Sequence, residues 1–305
     1  MTTSKPAFVS GASGYIGGAV CRALLDAGLP VRGGVRRAGV VPAGVAAVVT
    51  GDLAVGAPDL AGVGAVVHAA GLGHRRGVAG AVWRGANVDA AVNLARAAKA
   101  AGVGRFVLIS TAHVLGRVRE GVVCDLTSVG PMDDYARSKL EAELAVAEVF
   151  GAGLSVVRPV AVIGPGCPGN LQLVMKLLSR GVPLPFGSID NRRSFIAAED
   201  LGRLVLAVLR AEAAPGVVLA AHPESIGTPA LIRALASGMG LRPRLLPCPP
   251  AALAAGARLL GREAMWQSLG GSFVADPAAA LALGWAPRES LAESLQRTGA
   301  AYAVS

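Results

Sequence analysis

Tyr135 and Lys139 stand four residues apart in the segment Tyr135, Ala136, Arg137, Ser138, Lys139, which opens a helical pattern. A phenol is a weak base at neutral pH because its ordinary pKa is about 10, but residues four apart share a helix face, and an ammonium there favours the phenolate. Such a pair can take or give a proton beside a hydride acceptor. A second group lies near the start of the chain, where Gly11, Ser13, Gly14, Tyr15, Ile16 and Gly17 follow a short apolar run and lead into a helix. Glycines at that spacing let the backbone turn tightly and approach a pyrophosphate, whose charge meets the helix N-terminus. A glycine turn alone fits a plain structural turn equally well. Its place after the first strand, with the Tyr and Lys downstream, turns the reading to redox chemistry on a dinucleotide.

These groups need elements to hold them. Short β-branched runs at Ala7 to Ser10, Val31 to Val35, Ala46 to Thr50, Ala65 to His68 and Phe106 to Ser110 predict buried parallel strands. Helical patterns cover Tyr15 to Ala27, Arg84 to Ala101 and Asp133 to Phe150, and a further strand covers Leu154 to Val157. This alternation predicts an α/β fold: a Rossmann-type doubly wound parallel sheet. Beyond Pro159 the regularity weakens at the breakers Gly164, Pro165, Gly166, Cys167, Pro168 and Gly169, followed by a helix near Leu171 to Leu178. A helix at Asp200 to Ala211 and a strand at Val217 to Ala220 return to the main sheet. The expected division is a dinucleotide-binding domain of residues 1–164 with 199–222, and a smaller, discontinuous α/β substrate-binding lobe of 165–198 and 223–305.

Composition narrows the class. The 305 residues are 53% hydrophobic and 16% charged, which excludes disorder. No apolar run approaches the roughly 20 residues needed to cross a bilayer, and Met1 to Ala7 runs into a strand without a leader's apolar region. A soluble cytoplasmic protein without membrane partners is expected. Cys21, Cys124, Cys167 and Cys248 are scattered, and His68, His74, His113 and His222 do not flank them at metal-ligand spacing, so reduced cysteines and no metal are expected. The net charge of +9 comes mainly from arginines spread along the chain, and aromatics make up 4%. That pattern argues against nucleic acid and leaves arginines to meet an anionic substrate.

The second strand ends in Val35, Arg36 and Arg37, where an acidic residue would hold the ribose hydroxyls of NAD. Two arginines there suit a 2′-phosphate and tilt the cofactor toward NADP, with NAD kept at nearly equal weight and a solvated turn as the plainer reading. Asp52, followed by Leu53, falls after the third strand, either at the adenine amino group or in a surface turn.

In order along the chain, the glycine loop, the Asp52 turn, His68 with Ala69, Ala70 and Gly71, Asn87, Ser110 with Thr111, Tyr135 with Lys139, and Arg158 with Pro159 resemble an extended short-chain dehydrogenase/reductase. The likeness covers essentially the whole chain. In detail it is most similar to bacterial UDP-sugar 4-epimerases of the NAD-dependent epimerase/dehydratase family. The segment from Pro183 to Ile189, then Asn191, Arg192, Arg193 and Ser194 ahead of Glu199 and Asp200, and Leu283, Gly284, Trp285 near the end carry that detail.

The resemblance implies a Thr/Tyr/Lys site: Tyr135 as general acid and base at a sugar hydroxyl, Lys139 on the nicotinamide ribose, and Thr111 on the reacting oxygen. Thr111 is preferred to Ser110 because it precedes Gly116 by the family's spacing. It further implies cofactor contacts from the loop glycines, Ala69, Ala70, Gly71, Asn87, Ser110, Pro159 and Val162. Substrate contacts are implied from Thr111, Ala112, His113, Asn170 and Arg193, the last two toward a diphosphate. For Arg193 the alternative is an ion pair with Glu199 or Asp200, and Arg192 can stand in for it.

Where sugar dehydratases carry Asp-Glu after the Thr, this chain has Ala112 and His113, which disfavours dehydration. The tail around Ser272 to Asp276 lacks a further arginine of the epimerases. The leading expectation is a nucleotide-sugar 4-epimerase, with an NADPH-dependent reductase of a 4-keto sugar or other ketone as alternative. A non-catalytic sensor of NAD(P) is third, since such proteins commonly lose the Tyr and Lys. The helices Arg84 to Ala101 and Asp133 to Phe150 are the expected homodimer face by resemblance.

Overall fold

The computed structural model describes residues 5–73 and 78–304. Residues 1–4, part of the start read as leaderless, and His74 lie outside the described residues. Along the chain run β1 (Ala7–Ser10), α1 (Tyr15–Asp26), β2 (Val31–Val35), β3 (Ala46–Val49), β4 (Ala65–His68), α2 (Gly80–Trp83), α3 (Ala90–Ala100), β5 (Arg105–Ile109), β6 (Val122–Val123), α4 (Asp134–Phe150), β7 (Leu154–Pro159) and β8 (Ala161–Ile163). Then follow α5 (Asn170–Ser179), β9 (Arg193–Ala197), α6 (Ala198–Arg210), β10 (Gly216–Ala220), β11 (Ser225–Ile226), α7 (Thr228–Gly238), α8 (Pro250–Leu259), α9 (Glu263–Gly270), β12 (Val274–Ala275), α10 (Ala278–Ala282) and α11 (Leu291–Val304).

The central sheet has seven strands in the order β10-β7-β5-β4-β1-β2-β3, and every pair in it is parallel. Inner parallel strands are covered on both faces, which is why they read as apolar runs rather than alternations; the edge strand β3, expected to be buried, is largely exposed. On one face α1 and α6 pack together over Val9, Val67, Val107 and Val157. On the other, α3 and α4 cover Phe8, Val66, Phe106 and Leu108. A third apolar cluster, built by α5, α7, α11 and residues of β8 and β9, sits beyond the sheet. It is served by a separate three-stranded sheet, β11-β9-β8. Trp285 donates its indole N–H to the Asp200 carbonyl at 2.9 Å, pinning the tail to α6.

The expected helix at Arg84 to Ala101 differs in detail. It begins at Gly80 and passes through a π-helical turn, Arg84–Asp89, before α3 resumes. Such turns cluster at functional sites because the extra residue re-aims a side chain. Asn87 lies in this turn and meets the loop after β4.

Candidate active site

The strand order reverses between β1 and β4, so the loops after these two strands diverge and leave a crevice at the carboxyl edge of the sheet. A cavity of about 260 Å³ opens there, lined by Gly11, Ser13, Gly14, Arg36, Asp52, Leu53, Ala69, Ala70 and Gly71 among others. Gly11 has φ +68°, and a Cβ on it would stand 2.8 Å from the Ala70 amide nitrogen. Gly17 is tighter still, since its Cβ would stand 2.1 Å from the Gly11 carbonyl oxygen. The loop therefore lies flat between β4 and α1. Gly14 caps α1 without a side-chain bond, and the first turn holds no carboxylate, so the helix's amide end is left to an anion.

The walls are held from behind. The Ala70 amide donates to the Ser10 hydroxyl oxygen at 3.1 Å, and Ser10 bonds His68 Nδ1 at 2.8 Å. Full burial drops the His68 pKa to about 3, so the imidazole is neutral. Asn87 accepts from the Leu72 amide at 2.8 Å and donates to the Ser138 hydroxyl at 2.9 Å, tying the β4 loop to α4. Asn93 donates to the carbonyls of Leu53 and Ala54, which fixes the turn that carries Asp52.

Thr111, Tyr135 and Lys139 meet on the β5 side of the crevice. Asp133 caps α4, accepting from the Ala136 amide at 2.7 Å, and so aims the first turn of that helix. The inward face of α4 buries Ser138, Lys139, Ala142, Glu143 and Val146, a helical repeat. Tyr135 shares a hydrogen bond with Thr111. Lys139 donates to the Ile109 carbonyl at 2.6 Å. The ring of Trp83 lies 5.8 Å from that of Tyr135, and His113 meets it edge-on at 6.5 Å. Arg117 pairs with Asp133, joining the loop after Thr111 to the cap of α4.

Burial dominates the electrostatics. It pushes the Tyr135 phenol up to about 12, with the Thr111 hydrogen bond acting in the opposite direction. Lys139 is brought down to about 8 by burial, with Glu143 resisting. The expected depression of the phenol by Lys139 is not seen, because the ammonium donates to the Ile109 carbonyl and desolvation dominates the phenol.

Arg193 is buried on β9 and donates to the carbonyls of Gln267 at 3.1 Å, Gly271 at 2.9 Å and Arg117 at 3.4 Å. Its expected alternative partners are engaged elsewhere: Asp200 with Arg203, and Glu199 with Arg297 at 2.7 Å. Burial, then the neighbouring Arg117 guanidinium, lowers its pKa to about 10. Among the described residues its fork meets carbonyls and no carboxylate.

The model of the NAD dependent epimerase/dehydratase family matches residues 7–221, which span the glycine loop, the Thr/Tyr/Lys cluster and β9. The chain belongs to this family. UDP-glucose 4-epimerase of Vibrio cholerae is 33% identical over 232 residues, covering 72% of this chain and 70% of that protein. Ceramide reductase of Caulobacter vibrioides (strain NA1000 / CB15N) is 35% identical over 260 residues, covering 82% and 75%. The crystal structure of UDP-glucuronic acid 4-epimerase from Bacillus cereus in complex with NAD superposes with a TM-score of 0.78 at 21% identity, covering 98% of each chain.

This family member is thus an enzyme of nicotinamide chemistry, and the cradle fits that cofactor: a glycine loop too close-packed for a Cβ, an uncapped helix end and a cavity across the switch point. The remaining residues named from the sequence fall into separate places. Arg36 faces the cavity whereas Arg37 does not line it. Tyr15 leaves the cavity altogether. Its ring joins the third apolar cluster, and its hydroxyl is buried beside Gly164. Ser110 gives its hydroxyl to Glu143. Pro159 ends β7, on the far side of β5 from the cavity, and Val162 lies on β8 of the smaller sheet. Ala112 and His113 form the short turn after Thr111. Asn170 is exposed at the first turn of α5, and Arg192 is exposed beside Arg193.

Sequence reasoning missed Trp83, Arg117, Asp133 and Glu143. Asp133 carried a visible signal, an Asp just before a helical run. Trp83 and Glu143 carried none, because their partners are set by tertiary packing.

Proposed function

We propose that this protein is a nucleotide-sugar 4-epimerase in which Thr111, Tyr135 and Lys139 work on the O4 hydroxyl of the sugar. The observation that carries the substrate class is Arg193. A buried guanidinium bonded only to carbonyls keeps most of its charge uncompensated, and the oxygens of a diphosphate would supply the missing anion. The relatives named for UDP-sugars fit this reading. Asn170 stands as a second diphosphate contact.

When bound, the nicotinamide supplies the hydride acceptor and donor at the sugar carbon. Tyr135 takes the O4 proton as the C4–O4 bond gains carbonyl character and gives it back on the return. Thr111 hydrogen-bonds the same oxygen in both directions. Lys139 would hold the nicotinamide ribose and bring positive charge near the phenol. Because a dinucleotide crosses the switch point, its adenosine half would lie over β2 and β3, against Asp52 and Arg36. Its nicotinamide half would lie near Ser110, Pro159 and Val162. The residues beyond 164, apart from 199–222, would form the sugar-binding lobe.

One observation favours a second reading, a one-way NADPH-dependent ketone reductase. A phenol held up at about 12 rests protonated, the state needed to protonate a ketone oxygen. Arg36 in the cavity, with no carboxylate at the end of β2, suits a 2′-phosphate, and the Caulobacter relative is named as a reductase. Incubation with a panel of UDP- and dTDP-sugars, with and without NAD(P)H, separates the two. Epimer interconversion without net absorbance change at the reduced-nicotinamide band supports the epimerase. Stoichiometric loss of that band supports the reductase, and neither change on any sugar overturns the nucleotide-sugar assignment.

Arg193→Lys keeps the charge and loses the fork. It is expected to raise KM for the nucleotide sugar about tenfold or more, as loss of a charge-assisted bond implies, while cofactor titration stays unchanged. We also assign a cytoplasmic homodimer through α3 and α4, where Leu144 is 62% exposed on α4; sedimentation giving only monomer would remove the dimer. Among the described residues no helix is long and apolar enough to cross a membrane.

A further inference from the structure

Beneath the site lies a cluster of buried charges that the proton chain does not use. Glu143 stands one turn after Lys139 on the inward face of α4, and both are nearly inaccessible, at 5% and 6%. Arg158 of β7, also at 6%, grips its carboxylate with both arms of the fork, Nε to Oε1 at 3.1 Å and Nη2 to Oε2 at 2.6 Å. Ser110, at the end of β5, donates its hydroxyl to the same Oε1. The carboxylate thus accepts bonds from the ends of two strands while sitting on the helix that carries the catalytic pair.

The neighbours of Lys139 leave this carboxylate as the charge that matters. On β4, His68 feels Lys139 but is neutral through burial. On α4 itself Tyr135 is protonated. The Ile109 carbonyl of β5 offers a dipole and no charge. Arg158 is the competing cation, and Asp125, beyond it, is tied to the Leu219 amide. A buried ammonium with no anion nearby would give up its proton.

We propose that Glu143, clamped by Arg158 and Ser110, is a positioning residue that keeps Lys139 charged, and that Arg158 limits how strongly it does so. The inference rests on Lys139 acting beside Tyr135 and is independent of which substrate the site takes. A loss of this carboxylate then weakens catalysis by discharging Lys139, whereas a merely structural pair would act on stability alone.

The test reads the lysine proton directly. The chain's lysines are Lys5, Lys99, Lys139 and Lys176, few enough for the side-chain carbons of [13C]lysine-labelled full-length protein to be followed by NMR through a pH titration. Loss of one resonance in Lys139→Met assigns it. In the wild type Lys139 is expected to titrate near 8, below the reference value of about 10.4 for a solvated lysine. Glu143→Gln is expected to lower that midpoint by about one pH unit, and Arg158→Met to raise it by a similar amount, as unpaired buried charges of opposite sign require. The alkaline fall of kcat should move with it.

Loosening of the fold would let water in and move both variants upward together, which overturns the proposal; so does no movement in either. Breaking a buried pair is costly. If Arg158→Met does not fold, Glu143→Gln decides by its downward shift. If Glu143→Gln does not fold, the wild type decides, since a Lys139 that titrates near the reference value of a solvated lysine refutes the arrangement.

Discussion

Tyr135→Phe is expected to lower turnover by about 10²- to 10⁴-fold, the contribution of a positioned acid and base, and to leave cofactor affinity within experimental error. The substitution removes one oxygen and keeps the ring, so the contacts with Trp83 at 5.8 Å and His113 at 6.5 Å survive. The walls of the phosphate-loop cavity do not include Tyr135 and stay as they are, which is why binding should change little. The measurements are kcat on the responsive sugar of the panel and a fluorescence titration with reduced cofactor. A variant of wild-type turnover would end the proton-transfer mechanism for either reading.

The second large effect belongs to Gly17. A Cβ there would stand 2.1 Å from the Gly11 carbonyl oxygen and 2.7 Å from its carbon. Both are backbone atoms at the core of the phosphate loop, so no side chain can swing aside. Gly17→Ala should push α1 off the loop, with an overpacking cost of about 1–3 kcal/mol and a fall in Tm of about 2–10 °C. The larger consequence is for binding, because the glycine loop's shape is what admits a pyrophosphate. Cofactor affinity is expected to drop by about a hundredfold, a loss of some 2.7 kcal/mol. Gly104→Ala is the control, since a Cβ there meets nothing within 4 Å. Equal cofactor affinity in Gly17→Ala and wild type would show that another surface holds the dinucleotide.

The parts of the site that were legible in the sequence are local. β1, β2 and β4 fall on the residues expected, because short β-branched runs between turns have few other uses in a chain this rich in helix formers. The glycine loop and the Tyr and Lys of α4 were equally plain, since each is a spacing within one element. What escaped notice joins elements far apart in sequence. Glu143 and Arg158 are ordinary charges until β7 lies under α4, and nothing in their spacing marks them as buried. The π turn before α3 was invisible because its residues have ordinary helical propensity, and it exists to serve a contact between Asn87 and the β4 loop. The acidity of Tyr135 was misjudged for the same reason: spacing reports which groups can meet, whereas burial decides which charge state they keep.

Tyr15 has one foot in each half of the molecule. Its backbone begins α1 directly behind the phosphate loop, while its ring packs against the third apolar cluster with the hydroxyl against Gly164. On the proposed assignment of that cluster to the sugar side, the lobe is tied to the loop on the cofactor side. An outward movement of it would pull on the first turn of α1, so the gape of the cleft and the fit of the pyrophosphate would change together.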